Sequence, residues 1–335
     1  MFNNKLSILK YLTLSTVFAF SCSQLAQAET LKLAIGTSPK DAPAGQALYE
    51  WSELIEKYSD GEIETIEYYQ NELGGQQEVF DLLVSGEIDG MLTWPMTSYD
   101  KRIGVIYTPY MVTSWDEALK AYSDTGWLSA TLNSVYKDIG LKFMGPWPEG
   151  FNGVATSKHY ATDSAAAKDI KVRTIPAFPF PQTMQALGYQ TASIDWGEVY
   201  TALQTGVVDG DAGNVIYWDY EYFRDTLDYY VRTKHMFMTA MFLMNDETFA
   251  DLTETQQAAI RRASNEMVAK QFKEAKKVDN FYVAEAVKSG MKYIELNDEE
   301  LKAHATLARE KVWPVMREEL GAEIMDIVTE NAEKL

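Results

Sequence analysis

The stretch "DIKVRTIPAFPFPQTMQALG" (169–188) sets one arginine, Arg173, at the end of a short apolar strand, ahead of three prolines and two phenylalanines. A guanidinium presents parallel N–H donors that match the two oxygens of a carboxylate. The chain carries 49 Asp and Glu against 30 Lys and Arg, so a partner inside the protein is as available as one arriving from outside. Other chemistry is sparse. The three histidines, His159, His235 and His304, are far apart, and no H-E-x-x-H, G-x-S-x-G, P-loop or G-x-G-x-x-G occurs. "DGDAGN" (209–214) resembles the start of a calcium loop but fails it, with Asn214 at the glycine position and Tyr220 at the glutamate position. No metal and no cofactor is expected. Asp116 and Glu117 fall on a polar helix and read as solvated.

The elements that would position Arg173 alternate between strand and helix. "LKLAIGT" (31–37), "EIETIEYY" (62–69) and "IDGMLTW" (88–94) read as strands, separated by helices over 44–61 and 75–87. The order recurs with strands at 170–175, 190–195 and 207–214 and helices at 179–188 and 196–206. Such β-α-β alternation predicts two similar α/β units, each with a parallel sheet. Between them "LKFMGPWPEGFNGVATSK" (141–158) reads as a strand leaving one sheet for the other, and "HMFMTAMFLMNDETFADL" (235–252) as a second. A Thr253/Gln256 capping box opens a helical stripe that runs to Ser289, roughly 55 Å of helix. A strand at 291–296 and a charged helix capped by Asn297 complete the chain.

The 335 residues carry a formal charge of −19 and are 46% hydrophobic, which describes a globular chain ill-suited to nucleic acid or anionic membrane surfaces. Lys5 and Lys10, the apolar "YLTLSTVFAF" and the "AQA" at 26–28 predict a signal peptide over 1–28, with Glu29 as the first mature residue. The one cysteine, Cys22, lies inside it, and "AFSC" fits lipid attachment poorly. The expectation is a cysteine-free, soluble, monomeric periplasmic protein.

"SIDWGEVYTALQTGVVDG" (193–210) resembles the signature of the solute-binding subunits of tripartite ATP-independent periplasmic (TRAP) transporters. "LGGQQEVFDLLVSGEID" (73–89), "DIKVRT" (169–174) and "FLMNDETFADLTETQQAAI" (242–260) are similar to further segments of that family, in consistent order from about 30 to 330. The resemblance implies an α/β, two-domain periplasmic-binding-protein fold of type II-like form. It has a ligand cleft, two crossing hinge strands and a long domain-spanning helix. The domains would be 29–150 plus 239–278 and 151–238 plus 279–335. It also implies that Arg173 makes a two-pronged salt bridge to the carboxylate of a bound solute, and that small and large TRAP membrane subunits are partners.

Departures from the family bear on the ligand. Where many members read Q-E-N-P after V-V-D-G, with the asparagine bonded to solute, this chain has Asp211, Ala212, Gly213 and Asn214. Asn214 is therefore either a ligand contact or a helix cap. Where many members have an arginine after G-F, this chain has Asn152. One arginine in place of two implies a solute with a single anionic group, unless Lys40 supplies a second cation. Trp94, Trp147, Phe151, Phe178, Phe180, Trp196, Tyr217 and Trp218 are expected in the core or as cleft walls. Gln76 and Glu78 open a helix that faces the cleft in the family, so Gln76 is expected at the ligand and Glu78 at the ligand or the closed interface rather than merely solvated, and the "GTSPKDAP" loop is an expected rim. The function implied is capture of a small organic anion, a monocarboxylate or sulfonate, for ion-gradient-driven uptake. The alternatives are an enzyme using the same cleft, or a ligand-loaded input to a sensor.

Overall fold

A computed structural model of the chain describes residues 28–123 and 125–332. The basic and apolar leader with Cys22 lies outside the described residues. The first half runs β1 (Glu29–Ala34), α1 (Pro43–Tyr58), β2 (Ile63–Tyr68), α2 (Gln76–Ser85), β3 (Gly90–Thr93), α3 (Trp115–Ala121) and α4 (Trp127–Lys137). The chain then crosses through β4 (Leu141–Phe151) and β5 (Val154–Thr156). The second half holds β6 (Lys171–Thr174), α5 (Phe180–Ala186), β7 (Gln190–Ser193), α6 (Val199–Gln204), β8 (Gly210–Asp211), α7 (Ile216–Phe223) and β9 (Tyr229–Arg232). It returns through β10 (Phe237–Asn245), α8 (Asp246–Asp251) and α9 (Glu254–Ser289), and ends in β11 (Lys292–Glu295), α10 (Asp298–Leu320) and α11 (Ala322–Asn331).

Two sheets result, ordered β2-β1-β3-β10-β4 and β11-β9-β5-β8-β6-β7. The β-α-β strands are parallel as expected: β1 with β2 and β3, and β6 with β7 and β8. Both sheets are nonetheless mixed, because the crossing strands enter antiparallel: β10 against β3 and β4, and β5 against β8 and β9. The final helix is two, broken at Gly321, whose φ of 96° an L residue rarely adopts.

The long helix α9 has 36 residues and opens with the Thr253/Gln256 capping box. Its first half packs on α1, burying Ile260, Ala263 and Met267 with Leu48 and Trp51 beneath Leu31 and Leu33 of β1. Trp51 Nε1 donates to Ser264 Oγ (2.9 Å), which fixes the two helices in register. Its last turns lie with Tyr282, Val283 and Ala286 against the second sheet's core. Glu117 is not merely solvated: its carboxylate accepts from the backbone N–H of Thr113 (2.7 Å) and closes a capping box with Ser114.

The pairing of β4 with β10 slips twice. Gly150 pairs with Met238 and Pro148 with Thr239, so Glu149 is the extra residue of a bulge. Gly150 supplies the φ of 128° that the bulge requires. Bulges re-aim one side chain out of the pleat, and Glu149 is the one re-aimed here.

Candidate functional site

Arg173 is the penultimate residue of β6, which runs only from Lys171 to Thr174. Arg173 is 3% exposed and lies in register with Asp211 of β8. Its Nε donates to the Ile194 carbonyl (2.9 Å) and its Nη1 to Asp211 Oδ1 (3.1 Å). Its Nη2 takes no hydrogen-bond partner among the described residues. The second oxygen of Asp211 accepts from the Gly213 N–H (2.9 Å). A Cβ at position 213 would lie 2.7 Å from Arg173 Nη1, so only glycine lets the backbone close over the guanidinium.

Beside this pair sits a second buried carboxyl. Asp219 is fully buried, and its Oδ1 accepts from Asn214 Nδ2 (3.0 Å). Burial, reinforced by the neighbouring Asp211 charge, pushes its pKa well above the carboxylate range. Asp219 Oδ2 has no hydrogen-bond partner among the described residues. The cluster thus sets one arginine beside two aspartates, of which burial and the Asp211 charge favour a proton on Asp219.

The other polar centre is Glu149. Its Oε2 accepts from Trp94 Nε1 and its Oε1 from Trp218 Nε1, both at 2.9 Å. Burial raises its pKa, and the two indole donors pull it back. Glu149 lines a cavity of about 360 Å³ bounded by β4, α7, α9 and the start of α1, where elements of both sheets meet. Trp147, Tyr217, Trp218 and Tyr282 form its aromatic walls. Trp147 is 6% exposed, and its Nε1 has no hydrogen-bond partner. Ser38, Ala42 and Pro43 place the "GTSPKDAP" loop on the rim as expected.

The expected site residues therefore fall into three groups. Trp94, Trp147 and Trp218 converge around Glu149, with Gln76 behind them, its Nε2 donating to Thr93 Oγ1 (3.1 Å). Arg173 and Asn214 converge on the aspartate pair. Asn152, Glu78 and Phe178 belong to neither. Asn152 is fully buried in the joint between the crossing strands, its Oδ1 accepting from Met236 N (2.8 Å) and its Nδ2 lying 2.9 Å from His235 Nε2. Glu78 caps α2 by accepting from Gly75 N (2.7 Å). Phe178 packs on the first hydrophobic core, while Phe151 and Phe180 are inside it. Lys40 is exposed, its ammonium 4.1 Å above the Tyr49 ring, and does not line the cavity.

Sequence reasoning missed three participants. Glu149 carried a signal, a lone carboxylate amid "GPWPEGF". Asp211 was visible only as a departure from Q-E-N-P. Arg232, 3% exposed, gives Nη2 and Nη1 to the two oxygens of Asp279 on α9 (2.8 and 3.1 Å) and Nη1 to the Phe151 carbonyl (3.2 Å). It staples the long helix to the crossing strand. His235, fully buried in the same joint, has its pKa pushed down to about 4 by burial.

Residues 35–319 match the DctP family, described as bacterial extracellular solute-binding protein, family 7. A TRAP periplasmic solute-binding protein from Rhodobacter sphaeroides, in an apo open form, superposes with a TM-score of 0.80 at 26% identity, over 90% of this chain and 99% of that one. A TRAP periplasmic solute-binding protein from Chromohalobacter salexigens with bound d-glucuronate superposes with a TM-score of 0.79 at 20% identity, over 90% and 98%. An uncharacterized protein of Haemophilus influenzae is 26% identical over 294 residues, 86% of this chain and 87% of its own. No helix among the described residues is long and apolar enough to cross a membrane. The chain belongs to bacterial extracellular solute-binding protein family 7, and is a periplasmic solute-binding protein of the TRAP type rather than an enzyme.

Proposed function

We propose that the chain captures a small organic anion with a single carboxylate in the cleft between its two sheets, and delivers it to the small and large TRAP membrane subunits. The observation that carries this is Arg173 Nη2. It is the one guanidinium nitrogen left over after Asp211 and Ile194 have taken the others. A second carboxylate on the solute would find no counter-charge. Asn152 is enclosed in the joint, and Lys270, the one lysine on the cavity wall, is held by Glu50. A second acid group would instead meet Glu149, and an unpaired charge taken out of water is costly. The d-glucuronate of the Chromohalobacter relative is likewise a monoacid. Closure would bring 29–150 with 239–278 toward 151–238 with 279–335, bending at the crossing strands.

The variant that tests this is Arg173→Lys. Arg173→Ala would strand the Asp211 charge in the core and destabilise the protein for an unrelated reason. Lysine keeps a positive charge opposite Asp211 but loses the second nitrogen. In calorimetry with d-gluconate and its dicarboxylate counterpart d-glucarate, wild type should prefer the monoacid. Arg173→Lys should bind it at least about tenfold more weakly while melting close to wild type. Equal binding of the two acids, or unchanged affinity in the lysine variant, would refute the reading.

A further inference from the structure

Glu149 has no part in carboxylate capture, yet it sits on the cavity wall. The β4 bulge turns it out of the sheet, and two tryptophan N–H groups from different elements hold its oxygens. Among the described residues no lysine, arginine or histidine pairs with it, although Arg173, Arg232 and Lys270 each have a carboxylate partner. Glu50 and Glu274 share the same wall, and the only lysine there is already bound to Glu50. The cavity is therefore negative in field and aromatic in surface.

We propose that this cavity binds a cationic group, an alkylated ammonium, carried by the same solute whose carboxylate meets Arg173. The ligand class is thus a small zwitterion. A methylated ammonium is attracted by the faces of tryptophan and tyrosine rings within about 6 Å, and the attraction grows when water is excluded. Trp147, Trp218, Tyr217 and Tyr282 supply such rings, and Glu149 supplies a counter-charge that no cation among the described residues holds, whereas Glu50 and Glu274 on the same wall are paired with Lys270 and Lys277. The two indole donors fix the carboxylate without neutralising it, so its direction is set before the solute arrives. Residues 214–218 join this cage to the Arg173 cluster, because Asn214 bonds Asp219 and Trp218 bonds Glu149. One short segment thereby touches both clusters, while Arg173 and Glu149 themselves lie on β6 and β4.

This rests on the reading of the cleft as the solute site, and the test separates the two. The probes are glycine betaine and 3,3-dimethylbutanoate, which share shape and carboxylate and differ only in a quaternary nitrogen against a quaternary carbon. Calorimetry on the mature chain should show betaine binding at least about tenfold tighter. In Glu149→Gln that preference should shrink to about twofold or less. Tyr282→Leu, a half-exposed wall position, should lower it without touching the carboxylate. The wild-type preference decides the matter even if Glu149→Gln folds poorly. Equal binding of the two probes overturns the cation site and leaves monocarboxylate capture standing. A preference that survives Glu149→Gln also overturns it, as does failure of both probes while d-gluconate binds. Failure of every acid overturns the underlying reading as well.

Discussion

Arg173 and Arg232 are both 3% exposed and both paired with an aspartate, yet they differ in what remains after pairing. Arg232 clamps both oxygens of Asp279 with its two terminal nitrogens and adds the Phe151 carbonyl. Its Nε has no partner, but it is sealed from solvent, so nothing arriving from outside reaches it. Arg173 makes a single contact to Asp211, gives its Nε to a backbone carbonyl, and keeps Nη2 unpaired without being sealed in this way. Burial and an acidic neighbour therefore do not distinguish these two arginines. An accessible donor left over does, and it is what supports the proposed contact of Arg173 with solute. The same criterion sets Glu149, with lone pairs facing a cavity, apart from Asn152, whose amide is consumed by Met236 and His235.

The largest effect that breaks this comparison is expected at the staple. Asp279→Ala leaves Arg232 buried without its counter-charge, a change that costs about 3–5 kcal/mol. Urea unfolding should show that loss, and the double variant Arg232→Met with Asp279→Leu should recover most of it, because apolar side chains have no charge to strand. A loss within experimental error in Asp279→Ala would mean that the pair is not what ties α9 to the crossing strand.

The two regions also titrate in opposite senses. His235, in the Arg232 joint, is held neutral, with its pKa lowered by burial from 6.5 to about 4. Above pH 6.5 neither folded nor unfolded chain binds that proton. As pH falls from 6.5 toward 4 the unfolded chain takes it up first, so stability drops, by about 3 kcal/mol in all. His304 is shifted down as well and adds to the same limb. Asp219, in the Arg173 cluster, has a raised pKa, so its contribution is complete at low pH and is lost as pH rises. His235→Gln should flatten the acid limb of a melting-temperature profile between pH 6.5 and 4 and leave the upper limb alone. An acid limb as steep as in wild type would place its origin elsewhere, with His304 the first alternative.

Much of the architecture was legible because it is written in local patterns. "SIDWGEVYTALQTGVVDG" placed β7, α6 and β8, and the Thr253/Gln256 box located the start of α9. Arg173 stood out for the same reason, as a charge near the end of an apolar strand, while its assignment to the solute rests on the family resemblance. What stayed hidden depends on residues brought together from afar. Glu149 meets Trp94 and Trp218 across 55 and 69 residues of chain, and Arg232 meets Asp279 across 47. No periodicity encodes those meetings. Asp211 was a nearer miss. It read as a change from a family motif, whereas the β6–β8 register puts it opposite Arg173. Asn152 misled because a residue type implies a role only once its direction is known, and the joint turns this amide inward.

The smallest expected effect tests the leftover-donor criterion on a residue that the sequence assigned to the ligand. Glu78 follows Gly75, Gln76 and Gln77 at the start of α2, and its Oε2 accepts from the Gly75 N–H at 2.7 Å. Capping of this kind contributes about 1 kcal/mol. Glu78→Ala should therefore lower stability by that amount and leave solute affinity unchanged, since Glu78 is not part of the cavity wall. Glu78→Gln, which keeps an acceptor oxygen for Gly75, should lose less. If both variants instead weaken solute binding by more than they weaken the fold, α2 closes onto the solute in the bound form, and an acceptor already satisfied by backbone can still be a binding group.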